Sequence, residues 1–304
     1  MLPQTLSAVC AEQRVETASM SPTLCLPPLP PTPVHCLLNS VVSDHAFFGT
    51  IDLTDFYLGT PSPHPQFIKI YISTYSPEVL SRLRLHPFIQ TDRQGKPYIL
   101  FRADKTLYGL KEAGKLSNLQ LVKLLLSFGF VETSTPCLFR HPTRHITFCL
   151  VVDDFGVKYT HRYDFDFLVS CLASVYHVKA HPQATKFLGF TINHDRRART
   201  LSIAYPGYID ALLARLRPEG VRPCSTPSIY VPPRYGLTTP PSATSDQDPP
   251  ASPAQCKELQ IAVGYLLYYG RCVDSRFLPA TCALACEHAT ATLGTIARLN
   301  RLLG

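Results

Sequence analysis

The chain has 304 residues, 45% hydrophobic and 17% charged, which is enough apolar content for a sizeable core and argues against global disorder. Lys and Arg outnumber Asp and Glu by 29 to 22, a basic excess compatible with a polyanionic partner. No apolar run approaches the ~18–20 residues that cross a bilayer, the N-terminus lacks a signal-peptide pattern, and the 11 cysteines include no C-x-x-C pair, so the expectation is free thiols in a reducing compartment.

Taken in chain order, a proline run at 27–33 excludes helix and central strand. A compact segment then runs from about 34 to 223. The run 47–53 reads as a buried strand and 67–72 as another, with 98–101 as a third after the turn signal Arg93-Gln94-Gly95-Lys96. From 116 to 128, Leu119, Val122, Leu125 and Leu126 follow helical spacing, with Gly129 as the stop. Strands 146–152 and 155–159 are separated only by Asp153-Asp154 and predict a hairpin. Asp164 is positioned to cap a helix carrying Phe165, Leu168, Val169, Leu172 and Val175. A second hairpin, 187–192 and 200–204, turns at Asp195-Arg196-Arg197, and a helix follows over 207–216. Residues 227–253 mix Pro with Ser, Thr and Asp and read as an extended linker. Cys282 and Cys286, beside His288, lie four apart in an apolar helical stretch and read as buried core thiols. Strands and helices interleave with hairpins, so an α+β fold is predicted over a doubly wound parallel sheet.

Chemistry concentrates in carboxylates placed where strands should be apolar. Asp-Asp is a poor two-residue turn, which prefers Asn-Gly or Asp-Gly, and it sets two like charges together. Asp52 ends the apolar run Phe47-Phe48-Gly49-Thr50-Ile51. If these strands are neighbours, Asp52, Asp153 and Asp154 converge at one end of a sheet. That is oxygen-ligand chemistry suited to Mg²⁺, with phosphates and water completing the shell, and two such ions would activate a hydroxyl and stabilise a leaving pyrophosphate.

Four blocks occur in order: Ile51-Asp52-Leu53-Thr54-Asp55-Phe56-Tyr57-Leu58-Gly59, Leu107-Tyr108-Gly109-Leu110-Lys111-Glu112-Ala113-Gly114, Val151-Val152-Asp153-Asp154 and Phe187-Leu188-Gly189. Together they resemble the reverse transcriptases of copia-like LTR retrotransposons, whose blocks read roughly D-x-x-x-A-F-L, L-Y-G-L-K-Q-A, Y-V-D-D and F-L-G-I. The resemblance extends to Thr226-Pro227 and to Val263-Gly264-Tyr265-Leu266-Leu267-Tyr268 with Arg271 and Asp274. It implies a right-hand polymerase palm, an antiparallel sheet with helices on one face, with partial fingers, a short thumb and a helical C-terminal appendage. The implied organisation is a Pro-rich segment 1–35, fingers and palm 36–204, a thumb-like segment 205–226, the linker 227–253, and a connection segment 254–304 ahead of an absent ribonuclease H.

The resemblance implies RNA-directed DNA polymerase activity on an RNA template, a DNA primer and dNTPs, with two Mg²⁺ ions that Mn²⁺ can replace. Asp52, Asp153 and Asp154 match its metal ligands. Leu53, Asp55, Tyr57, Tyr108 and Gly109 match positions at the incoming nucleotide, where the Tyr57 ring would exclude a ribose 2′-OH by a clash. Lys111 matches a phosphate contact, and Phe187, Leu188 and Gly189 the hairpin gripping the primer end. Lys186 and Lys179 are both candidates to protonate pyrophosphate. The implied setting is intracellular, in a cytoplasmic virus-like particle with access to the nucleus. Val151 replaces the aromatic residue that precedes x-Asp-Asp, Glu112 replaces a common Gln, and Arg14 is the only Lys or Arg among residues 1–35, where fingers cations would stand. Two alternatives stay open: a relic with residual nucleic-acid binding, and another palm enzyme such as a nucleotide cyclase, which has no use for the Tyr108-Gly109 turn.

Overall fold

The computed structural model describes residues 31–228 and 248–304; Arg14, the prolines before Pro31 and most of the linker 227–253 lie outside the described residues. The described residues up to Ala184, with Arg196–Arg199, form one compact unit, and Thr185–Asp195 with the residues from Thr200 onward form a second.

The first unit opens with α1 (Pro31–Ser43) and β1 (Phe47–Thr54). The helix begins inside the proline run expected to exclude it. Pro31 and Pro33 occupy its first turn, where N–H groups have no intrahelical acceptor and proline loses nothing. After a 3₁₀ turn at Phe56–Gly59 come β2 (Pro61–Tyr71), α2 (Pro77–Arg82), β3 (Gln90–Thr91), β4 (Pro97–Lys105), α3 (Ala113–Ser127), β5 (Val131–Glu132), β6 (Leu138–Arg140), β7 (Ile146–Val151), β8 (Asp154–Tyr159), α4 (Arg162–Ala173) and β9 (His177–His181).

Six strands form one antiparallel sheet in the order β5-β6-β7-β8-β1-β9. Alternation puts Ile51, Leu53, Leu150, Phe148, Phe155 and Val157 on one face, where they pack with Leu121 and Leu125 of α3 and Phe165, Leu168 and Leu172 of α4. The opposite face is also covered at one end. Phe48 and Cys149 are buried there, and Lys158 reaches Ser40 Oγ of α1 at 3.0 Å and Asp44. Helices therefore flank both faces, not one, because that face carries apolar residues of its own. Gly49 lets β9 and α4 approach closely, since a Cβ there would lie 2.7 Å from Phe165 and 2.9 Å from the His181 carbonyl.

Three local expectations are corrected. The face α3 buries is Ala113, Ser117, Leu121 and Leu125, an i, i+4 row, whereas Leu119 and Leu126 are exposed. Asp164 does not cap α4. It sits within the first turn, buried, and accepts a hydrogen bond from Arg144 at 3.2 Å. Val175, placed on the buried face of that helix by spacing, is exposed, because α4 ends at Ala173.

Between β1 and α3 the chain builds a separate three-stranded sheet, ordered β2-β4-β3. Its inner face packs Ile99 against Leu80 of α2 and Leu85.

The second unit contains β10 (Lys186–Phe187), β11 (Phe190–Asp195), β12 (Thr200–Ala204) and the helices α5 (Tyr208–Leu216), α6 (Pro253–Cys272), α7 (Leu278–Cys286) and α8 (Leu293–Leu303). The expected strand 187–192 is broken in two. Leu188 and Gly189 adopt φ of 50° and 83°, a tight turn of the hairpin kind, so the block Phe187-Leu188-Gly189 is itself a hairpin bend. Leu212, Leu259, Leu266, Leu284 and Leu299 form this unit's core. Cys282 and Cys286 share an exposed side of α7 while Thr281 and Leu284 are buried, which reverses the expectation of core thiols. Among the described residues no helix is long and apolar enough to cross a membrane.

Candidate active site

Asp52 lies on β1 directly opposite Asp154 on β8 and, on its other side, opposite Lys179 on β9. Cross-strand pairs share a face, so the two carboxylates stand side by side on the face that α1 covers further along. The strand continues two residues past Asp52, to Thr54. The hairpin turn is Val152-Asp153, one residue earlier than expected, since Val151 pairs with Asp154. Val152 has φ of 61°, a left-handed conformation that costs a β-branched residue about 1–3 kcal/mol. The turn is held by its neighbour, for the Leu53 N–H donates to the Asp153 carbonyl at 3.2 Å. Leu53 serves through this backbone contact, its side chain being buried in the core.

Burial raises the Asp153 carboxyl above its ordinary range, and the charge of Asp52 adds to the effect. Burial pushes Asp154 up to about 6, helped by Asp153 and Asp52. Each carboxylate is thus in the field of the others. Among the described residues, however, no three His, Cys, Asp or Glu side chains are gathered so as to enclose a metal ion. The expected convergence is one of strands and charges, not of a closed ligand cage.

Beside the carboxylates stand two rings. Tyr57, in the 3₁₀ turn after Asp55, meets Tyr108 edge to face at 4.7 Å. Burial raises the Tyr108 phenol, and the charges of Asp153, Asp55 and Asp52 raise it further. Asp55 holds a left-handed φ of 57°, and Gly109 a φ of 90° that only glycine adopts freely. Thr106, which sequence reasoning passed over, links the two blocks. Its hydroxyl donates to the Tyr57 carbonyl at 2.5 Å and its N–H to the Thr60 carbonyl at 2.9 Å, with Ser117 Oγ 3.3 Å from its own oxygen. The sequence offers only a threonine just before Leu107-Tyr108-Gly109, and its burial is what reveals the link. Lys111 is exposed on the loop leading into α3. Lys186, Phe187, Leu188 and Gly189 belong to the second unit, and Gly189 bends against Tyr205, whose hydroxyl a Cβ would meet at 3.0 Å.

The fold is mixed α and β with antiparallel sheets, and its first unit carries paired carboxylates at a strained hairpin. No protein-family profile matches the chain. It is 27% identical over 137 residues to a retrovirus-related Pol polyprotein from transposon TNT 1-94 of Nicotiana tabacum, a match covering 44% of this chain and 10% of the polyprotein. Among solved structures, telomerase from Candida albicans in complex with a fragment of telomeric RNA gives a TM-score of 0.33 at 11% identity, over 63% of this chain and 38% of that one. Apo telomerase from Candida tropicalis gives 0.38 at 10% identity, over 90% and 50%. The chain thus corresponds to a small part of the polyprotein and at most half of these telomerase chains.

Proposed function

We propose that the chain is the polymerase segment of a retrotransposon polyprotein and acts as an RNA-directed DNA polymerase. The observation that carries this reading is the pairing of Asp52 with Asp154 across β1 and β8, with Asp153 on the adjoining strained turn. The donors are all carboxylate oxygens, and burial together with like charge raises the carboxyls of Asp153 and Asp154. That fits a hard divalent cation such as Mg²⁺ or Mn²⁺, which takes one or two carboxylates and fills its shell with water and phosphate oxygens. When bound, such ions supply charge neutralisation at the phosphoryl group.

In this reading Asp52 and Asp153 are the principal ligands and Asp154 the third carboxylate. The primer 3′-oxygen attacks the α-phosphorus of a dNTP, the bond to the β-phosphate breaks, and pyrophosphate leaves. Tyr57 lies against the sugar, and its ring opposes a 2′-OH. The Tyr108-Gly109 turn lets backbone approach the nascent pair, with Asp55 at its rim and Lys111 on a phosphate. Register favours Lys179, next to Asp52, over Lys186 as the proton donor to pyrophosphate. Phe187, Leu188 and Gly189 form the bend that grips the primer. RNA template and DNA primer are the partners. The relic reading rests on Arg14 standing alone among residues 1–35.

Primer extension on poly(rA)/oligo(dT) separates the two. Asp153→Asn is expected to lower the extension rate by about a thousandfold or more, because lost charge stabilisation acts chiefly in the transition state, with template–primer affinity nearly unchanged. Tyr57→Ala should retain extension with dNTPs and admit ribonucleotides. Extension that survives Asp153→Asn defeats the mechanism; a wild-type chain that binds template–primer without extending it supports the relic.

A further inference from the structure

Thr281 and Leu284 form the buried side of α7, which puts Cys282 and Cys286 on its outward side, both of them exposed free thiols. Buried thiols are inert, whereas exposed ones are open to metals and oxidants. Four residues apart on a helix, the two Cβ atoms stand about 5–6 Å from each other. A disulfide needs about 3.5–4.5 Å between Cβ atoms, so the pair cannot oxidise onto itself without unwinding the last turn. A single ion between the sulfurs meets no such obstacle. With metal–sulfur bonds of about 2.3 Å, sulfurs on opposite sides of one ion lie about 4.6 Å apart, a span that two thiols on one helix side reach by choice of rotamer. We propose that Cys282 and Cys286 form a two-thiolate site for a soft monovalent cation of the Cu(I) kind. Each thiol releases its proton to solvent, two sulfur–metal bonds form, and the oxidation state of the metal is unchanged. This site stands apart from the polymerase reading, whose ions are hard and held by carboxylates.

The surroundings select the metal. Glu287, the next residue, is engaged elsewhere, in an ion pair with Arg298 and as acceptor from Thr295 Oγ1 at 2.9 Å. His288 turns back on the helix end, its Nδ1 2.9 Å from the Ala285 carbonyl, to which it donates. Among the described residues no three His, Cys, Asp or Glu side chains are placed to hold an ion together. Zn²⁺ takes three or four protein ligands, and Mg²⁺ and Ca²⁺ take oxygens, so a pair of thiols suits neither. Soft thiolates favour Cu(I), an ion satisfied by two of them. The position of the pair adds to this preference. α7 ends at Cys286, and the negative end of the helix dipole with its last carbonyls favours a bound cation over a free thiolate.

The test uses the full chain, reduced and kept from oxygen, with Cu(I) supplied from a chromophoric chelator whose colour reports the metal it loses. The wild-type chain should withdraw one equivalent. So should Cys36→Ser with Cys224→Ser, which removes the other cysteines exposed among the described residues. Cys282→Ser and Cys286→Ser should each weaken binding by about a hundred- to ten-thousandfold, as when two linked contacts become one. Their circular dichroism should match wild type, since both side chains are exposed. His288→Ala should leave the affinity unchanged, and X-ray absorption should find two sulfur neighbours around the copper. No copper withdrawn by the wild-type chain, or equal withdrawal by wild type and Cys282→Ser, overturns the site, the second result meaning adventitious binding to other thiols. So does Zn²⁺ held as tightly as Cu(I). Doubling of the sedimenting mass with half an equivalent per chain would also overturn it, by showing that two copies share the ion.

Discussion

Asp92, in the turn of the three-stranded sheet, and Asp154, at the end of the six-stranded one, are handled in opposite ways. Asp92 accepts backbone N–H groups of Lys96 at 2.9 Å and Gln94 at 2.8 Å on one oxygen, and the Tyr71 hydroxyl at 3.1 Å and Lys69 at 3.4 Å on the other. These bonds, the Lys96 one foremost, hold its carboxyl down at about 2. Asp154, half-buried and facing two like charges, is pushed up to about 6. A carboxylate whose acceptors are all used fixes a turn. Asp154 has no such bonds from protein groups among the described residues, and its charge is left to burial and to its like-charged neighbours.

The same contrast runs through the two sheets' aromatic residues, and it predicts the largest effect. Phe148 is fully buried, with ring centroids of Phe139, Phe155 and Phe130 within 5.2–5.4 Å. Phe148→Ala should cost about 3–5 kcal/mol in urea unfolding. Phe67→Ala, on the open face, should stay within about 0.5 kcal/mol. A comparable loss at both positions would mean that the second face is not open.

An intermediate effect is expected at Asp92. Its carboxyl is more acidic in the fold than its ordinary value of 3.8, so the ionised form is favoured by folding. That contribution is whole above about pH 4 and is lost as pH falls through about 2. Asp92→Ala should lower the urea midpoint at neutral pH, and the gap from wild type should close on acidification toward pH 2. A gap constant with pH would assign the loss to packing instead of charge.

How much of this was legible in the sequence depended on whether local rules or distant neighbours decided. The run at 47–53 forms β1 because its aromatic and β-branched residues outweigh Gly49 and Asp52. The Asp153-Asp154 hairpin was readable, but its turn was placed one residue late. Charged residues favour turns, and no local rule puts β-branched Val152 at a positive φ; pairing of Val151 with Asp154 and the bond from Leu53 impose it. The spacing of α3 marks Leu125 and Val122 on the core side but adds the exposed Leu119 and Leu126, because the buried row begins at the small residues Ala113 and Ser117. Strand β2 was read only from residue 67. Prolines at 61, 63 and 65 argue against a strand, and the ladder indeed breaks between Pro61 and Gln66. The pairing of Asp52 with Asp154 follows from strand order, which the motifs suggested and periodicity alone did not.

A last substitution bears most directly on the opening contrast. Burial and the like charges of Asp153 and Asp52 all penalise the ionised Asp154, so Asp154→Asn should raise stability at neutral pH. The sign with pH follows from the raised carboxyl. The unfolded chain ionises near the ordinary 3.8 and the folded one near 6, so the favourable contribution of the protonated group is whole below about pH 4 and is lost as pH rises through about 6. The neutral Asn variant should therefore match wild type at pH 4, overtake it between pH 4 and 6, and keep its lead above. Added Mg²⁺ should narrow that lead by stabilising the wild-type chain more than the variant, since a ligand that binds only the folded site shifts unfolding by mass action. A variant less stable than wild type across the range would show that Asp154 is held by protein contacts, as Asp92 is, and that the two carboxylates do not differ in kind.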